Sequence, residues 1–144
     1  MILDEVKKEV RQLLKHDKKK ATGLMTAAYL GATPDTSVEM VIARLRVETP
    51  NLDIMHYIYV VDRGNVLQGV VSIRGLLTAQ PRQLLTEIWT QRLISVKPEA
   101  NQKEIFEAFA KYRLQALPVL DEGNHLKGVI PFQTMLDILL PKVR

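Results

Sequence analysis

A chain of 144 residues fits one compact domain or two small units fused through a shared core, because a half of about sixty residues buries too little surface to be stable alone. Zero cysteines exclude a disulfide framework, thiolate zinc sites and a cysteine nucleophile, and no apolar run approaches the ~20 residues that span a bilayer. The net charge of +4 is mild and comes partly from one cluster (Lys15, Lys18, Lys19, Lys20), so with 47% apolar and 25% charged residues the chain reads as soluble and cytoplasmic, with no nucleic-acid partner.

Val6, Val10, Leu13 and Leu14 share one stripe of residues 3–15, which predicts an amphipathic N-terminal helix. The polar stretch from His16 to Gly23 reads as a helix stop, so residues 1–22 are an N-terminal helix and basic linker. A first unit follows. Thr36 and Glu39 have capping-box spacing, in which a hydroxyl accepts from the N3 amide while the glutamate reaches back. Val38, Val41, Ile42 and Leu45 then recur at helical spacing. A strand over Tyr57–Val61 leads to the turn Asp62-Arg63-Gly64-Asn65, where Gly and Asn tolerate positive φ. A strand over Val66–Ser72 and a helix carrying Leu76 and Leu77 close the unit.

A second unit repeats this order. Asn101 is the cap, with Glu104 three residues on and Ile105, Ala108, Phe109 and Tyr112 along the stripe. A strand over Leu117–Leu120, the turn Asp121-Glu122-Gly123-Asn124, a strand over His125–Ile130 and a helix carrying Met135, Leu136 and Leu139 complete it. Residues 59–72 (YVVDRGNVLQGVVS) and 118–131 (PVLDEGNHLKGVIP) are identical at seven of fourteen positions, at an offset of 59. The leading halves align at 64 (Thr26 with Thr90, Pro34 with Pro98), so the first unit carries five extra residues, placed in RVETPNLDIMHY between helix and strand. A copied unit of this size buries a face against its twin and builds a cleft with two-fold pseudo-symmetry. The predicted fold is α+β: two βαββα repeats, over 23–82 and 83–144, behind an N-terminal helix.

At these residues the chain resembles a tandem pair of CBS (cystathionine β-synthase) domains, and more narrowly the cytosolic pair of MgtE-type magnesium transporters. The narrower likeness rests on Ala21-Thr22-Gly23-Leu24-Met25-Thr26, similar to that family's AGGLMT junction, and on Tyr57-Ile58-Tyr59-Val60-Val61-Asp62, similar to its YxYVVD strand. Ser72-Ile73-Arg74-Gly75-Leu76-Leu77 resembles its SLRELL segment, and Ala110 to Val119 resembles its AKYDLLALPV. The resemblance implies a non-catalytic regulatory module that dimerises beneath the membrane part of the same polypeptide and gates it in response to magnesium. A stand-alone CBS pair that senses adenosine nucleotides and regulates a separate partner is the competing reading.

The resemblance also implies two ligands, magnesium and an adenosine nucleotide. CBS pairs carry Gly-h-h-[Ser/Thr]-x-x-[Asp/Asn] at the nucleotide cleft, and here the copies read Gly69, Ser72, Gly75 and Gly128, Pro131, Thr134. The implied contacts are Ser72, Arg74 and Thr134, since hydroxyls and a guanidinium at helix starts suit phosphate. Glu99, Glu104 and Asp121 are the acids implied for hydrated Mg²⁺. The chain departs from the family at its acidic helix cap, which here is Asn101-Gln102-Lys103-Glu104, and in its tail Pro141-Lys142-Val143-Arg144, which lacks an acidic connector. Met25 and Trp89 stand at equivalent repeat positions and read as core packing. His16, His56 and His125 have no metal-site spacing, and no phosphate loop, Ser-His-Asp set or HExxH appears, so the chain reads as no enzyme.

Overall fold

The computed structural model describes residues 5, 8, 19–48 and 55–143. The helix expected over 3–15 lies outside these apart from Glu5 and Lys8, which are helical. The elements in chain order are α1 (Ala21–Leu24), β1 (Leu30–Ala32), α2 (Val38–Glu48), β2 (Tyr57–Val61), β3 (Leu67–Ser72) and α3 (Ile73–Thr78). A 3₁₀ turn at Leu85–Glu87 leads to α4 (Gln102–Tyr112), β4 (Ala116–Leu120), β5 (Leu126–Pro131) and α5 (Phe132–Val143). Eight residues separate α2 from β2 and three separate α4 from β4, so the five extra residues sit between helix and strand.

Three strands form the first sheet, with β1 parallel and β3 antiparallel to β2, and β4 with β5 forms the second. Alternate strand residues take opposite faces. Ile58 and Val60 therefore enter a core with Val38, Val41, Leu76 and Leu85, while Leu117 and Val119 enter another with Ile105, Phe109 and Met135. The residues between them face across: Tyr59, Ala116 and Leu120 join Leu67, Leu126 and Val129 in a third core built from both repeats. That is the shared face the repeat requires.

The halves are also exchanged at their edges. Thr26 pairs with Val129 of β5, and Thr90 pairs with Val70 of β3, so the segment leading into each repeat lies on the other one. Residues 21 and 22, read from sequence as the end of a linker, instead open a helical turn over Ala21–Leu24 whose amides are claimed by the second repeat: Ala21 N–H donates to Ala100 O at 2.9 Å and Thr22 N–H to Pro98 O at 3.0 Å. Ala21 and Leu24 are buried in the second repeat's core.

Local chemistry explains the boundaries. Asn101 caps α4, its Oδ1 accepting from Glu104 N–H at 2.9 Å. In the first repeat the cap is Ser37 and not the expected Thr36: Ser37 Oγ takes the Met40 amide at 3.3 Å, while the Thr36 hydroxyl is held 3.0 Å from that of Thr33. The turns differ from expectation too. Asn65 and Asn124 take positive φ (66° and 63°) and the glycines do not. Asp62 Oδ1 accepts from Gly64 and Val66 N–H, both at 2.9 Å, which winds the turn so that its left-handed residue falls on Asn. The two turns then meet across the pseudo-two-fold axis, Leu67 N–H donating to Asn124 O and Leu126 N–H to Asn65 O, both at 3.0 Å.

One buried polar group breaks the pattern. Gln102 opens α4 with no exposed surface, and neither amide atom has a hydrogen-bond partner. Its counterpart at the offset of 64 is Val38, equally buried. An unsatisfied buried amide costs about 1–3 kcal/mol. Gln102→Leu keeps the volume and removes both orphans, so it should stabilise the fold by about 1–2 kcal/mol in urea titration; a lower midpoint would mean the amide has a partner in solution.

Candidate functional site

The cleft region follows from strand period. Tyr57 and Tyr59 of β2 and Ala116 and Pro118 of β4 point away from their own cores and toward the pseudo-axis. On each side of the axis, an edge segment closes a cleft against them. One cleft has Thr90, Arg92 and Leu93 as its edge and Val70 as its floor, and encloses about 240 Å³. The other has Thr26, Ala28 and Tyr29 as edge and Val129 as floor, and encloses only about 10 Å³, at the lower limit for one water.

Aromatic substitution between the repeats produces the difference. Tyr29 meets Tyr59 edge-on with ring centroids 5.8 Å apart, and Tyr57 lies 6.4 Å from Tyr59. Their counterparts are Leu93, Pro118 and Ala116, all smaller. Tyr57 and Tyr59 line both clefts, so the ring peculiar to the closed one is Tyr29, where the open one has Leu93. Tyr59 is 2% exposed, and burial, with Tyr57 nearby, pushes its phenol well above the ordinary range.

A second depression of about 380 Å³, lined by Met55, His56, Tyr57, Ser72, Ile73, Arg74 and Gln115, shares Tyr57 with the open cleft and Met55, His56 and Tyr57 with the closed one. Arg92 lines the open cleft, Arg74 and His56 line the second depression, and no carboxylate lines either. Among the described residues neither arginine is held in an ion pair. Ser72 Oγ caps α3 by accepting from Gly75 N–H at 2.9 Å, which leaves its own proton to donate. An apolar-walled slot with a cationic mouth suits a flat ring bearing an anionic tail.

The structure therefore places Ser72 and Arg74 in one depression. Thr134 is half-buried on α5, at the counterpart of Gly75, and lines neither cleft. Sequence reasoning missed Arg92, although the offset of 64 sets it against Ala28 and so marks it as a divergence. Glu99 and Glu104 line a surface hollow with Glu107, Lys97 and Lys111. Asp121 stands apart, bonded within its own turn. The amide of His125 first, and then its ring at 3.0 Å, hold the Asp121 carboxyl below its usual range. Among the described residues no three His, Asp or Glu gather as a metal site, and no helix is long and apolar enough to cross a membrane.

Met25 and Trp89 lie against Gly128 and Gly69 as packing groups. Residues 21–82 and 87–141 each match the CBS domain family. The magnesium transporter MgtE of Thermus thermophilus is 36% identical over 91% of this chain, which spans 29% of that relative's length. The cytosolic domain of the Mg²⁺ channel MgtE in complex with ATP superposes with a TM-score of 0.80 at 35% identity, over 91% of this chain and 53% of that one. The soluble part of a magnesium transporter gives 0.81 at 26% identity, over 93% and 52%.

Proposed function

The chain belongs to the CBS domain family, and from that premise we propose that it is the cytosolic regulatory module of an MgtE-type magnesium transporter, without catalysis of its own. The observation that carries this reading is the match to a magnesium transporter along 91% of the chain. In this reading the module works as a homodimer, for which Met40, Val47 and Leu77 offer exposed apolar surface, and acts on a membrane part of the same polypeptide. Binding must favour one arrangement of that dimer over another, since a ligand shifts an equilibrium only through differential affinity.

The ligand we assign to the open cleft is an adenosine nucleotide, its phosphates held by Arg74, Arg92 and Ser72. Support comes from the cationic mouth and from ATP in the similar channel domain. Magnesium has a weaker surface: Lys97 and Lys111 flank Glu99 and Glu104, and Asp121 is spent in its turn. Calorimetry on the purified chain tests both. ATP should bind saturably, and Arg74→Ala with Arg92→Ala should weaken it at least tenfold without lowering Tm, because both side chains are exposed. Mg²⁺ alone should stabilise the chain by well under the ~2.7 kcal/mol of a ligand at a hundredfold excess over Kd. Silence toward millimolar ATP would remove the nucleotide assignment, and a large magnesium-dependent rise in Tm would restore magnesium as the primary ligand.

A further inference from the structure

Arg44 of α2 folds back over the edge of the first sheet. Its Nη1 donates to the Gly31 carbonyl of β1 at 2.9 Å, and its Nη2 to Glu48 Oε2 at 3.4 Å. One planar fork thus serves an edge carbonyl and a carboxylate together. At the offset of 64 the counterparts are Ala108 for Arg44, Ser95 for Gly31 and Tyr112 for Glu48. The second repeat keeps the backbone and lacks the guanidinium. Val96 is bonded to β4 in both directions, its amide to Pro118 O at 3.1 Å and its carbonyl from Leu120 N–H at 2.9 Å. The Ser95 carbonyl beside it therefore faces the outer edge, as that of Gly31 does, and no donor among the described residues reaches it.

In place of the arginine there is a hollow of about 530 Å³ between that edge and α4, with Ser95, Ala108 and Tyr112 in its lining. Glu104 and Glu107 line it too, where their counterparts Met40 and Ala43 are apolar. Among the described residues neither glutamate is held in an ion pair. Glu99 adds a third carboxylate against two ammoniums, Lys97 and Lys111, and that of Lys111 lies over the Tyr112 ring at 5.1 Å. We propose that this hollow docks an arginine side chain of a partner protein, which takes from outside the place that Arg44 takes within the first repeat. The guanidinium fork answers an edge carbonyl and a carboxylate at once, whereas a lysine ammonium is a point charge. Magnesium demands a near-octahedral set of oxygens, and among the described residues no three His, Asp or Glu gather to begin one. The hollow shares no lining residue with the open cleft or the Arg74 depression, so this assignment stands apart from the nucleotide.

The probe is a capped Gly-Arg-Gly peptide titrated into the ¹⁵N-labelled chain. The amide resonances of Ser95, Glu104 and Ala108 should shift saturably, and the Gly-Lys-Gly analogue should bind about fivefold more weakly. Ala108→Arg rebuilds the arrangement of Arg44 and plugs the hollow: it should melt no lower than wild type and abolish the shifts. Glu104→Gln with Glu107→Gln, both exposed, should weaken the arginine peptide about tenfold while Tm holds, which keeps the test decisive if the plugged variant folds poorly. Arginine peptide that leaves these amides unmoved overturns the proposal. So does equal binding of the lysine analogue, or undiminished binding to both variants. Mg²⁺ that saturates the same amides and displaces the peptide overturns it in favour of a metal. A wild-type oligomer that Ala108→Arg dissociates, read by analytical ultracentrifugation, overturns it in favour of a second copy of this chain.

Discussion

Gly69→Ala will destabilise the fold by about 3 kcal/mol and Gly128→Ala by about 1, although the two glycines are copies of one position. A methyl at 69 would come 2.8 Å from Cε3 of Trp89 and 3.0 Å from Thr90 O. Neither can retreat. The Trp89 ring is rigid and packed on the first core, and Thr90 is bonded in both directions to Val70, at 3.0 and 2.9 Å. The three atoms nearest a methyl at 128 all belong to Met25: Sδ at 2.7 Å, Cγ at 2.8 Å and Cβ at 3.0 Å. An unbranched thioether has three rotatable bonds and relocates at small cost. Both variants regain part of Gly's unfavourable strand entropy, about 0.5–1 kcal/mol, which leaves the ordering intact. Urea unfolding of the two variants checks it; equal losses, or a larger one at 128, would mean that Thr90 is not pinned.

That contrast also shows what the sequence could and could not disclose. The repeated Asp, Asn and Gly positions were visible because both copies obey the same backbone constraint: a carboxylate winding a turn, an Asn at positive φ, a glycine beneath a large side chain. Ser72 and Arg74 were visible because they stand at the junction of the most faithfully copied strand with the helix that follows it. The exchange of edge segments was not, since Ala21 and Thr22 look like a linker until the carbonyls of Ala100 and Pro98 are seen to accept from their amides. Arg92 escaped notice for another reason: the alignment at 64 sets it against Ala28, outside the nucleotide motif that drew attention to Ser72 and Arg74. Thr134 was carried over from a motif whose cleft, in this chain, three tyrosines fill to about 10 Å³. Motif position marks where a ligand group would stand. Whether space remains for the ligand is decided by residues outside the motif, here Tyr29 in the closed cleft against Leu93 in the open one.

The shared core makes a second, larger effect predictable. Ile58 and Leu117 are counterparts at the offset of 59, both with no exposed surface, each at the centre of its own repeat's core. Truncating either to Ala should cost about 3–5 kcal/mol, the loss of buried methylenes plus an incompletely collapsed cavity. The informative case is Leu117→Ala, whose damage lies wholly in the second repeat. Trp89 is the chain's single tryptophan and packs on the first repeat's core, so its fluorescence reports the other half. If the halves were independent, that signal would keep its wild-type midpoint. They are not: Tyr59 and Leu67 of the first repeat are buried in one cluster with Ala116, Leu120, Leu126 and Val129 of the second, and the paired turns bond Leu67 to Asn124 and Leu126 to Asn65. A half of about sixty residues that loses this face is not stable alone. Leu117→Ala should therefore lower the urea midpoint of Trp89 fluorescence and of far-ultraviolet circular dichroism together, in one transition. A fluorescence midpoint that stays in place while the dichroism shifts would show that the third core does not couple the repeats, and a ligand in the cleft between them would then have no rigid pair of walls to act on.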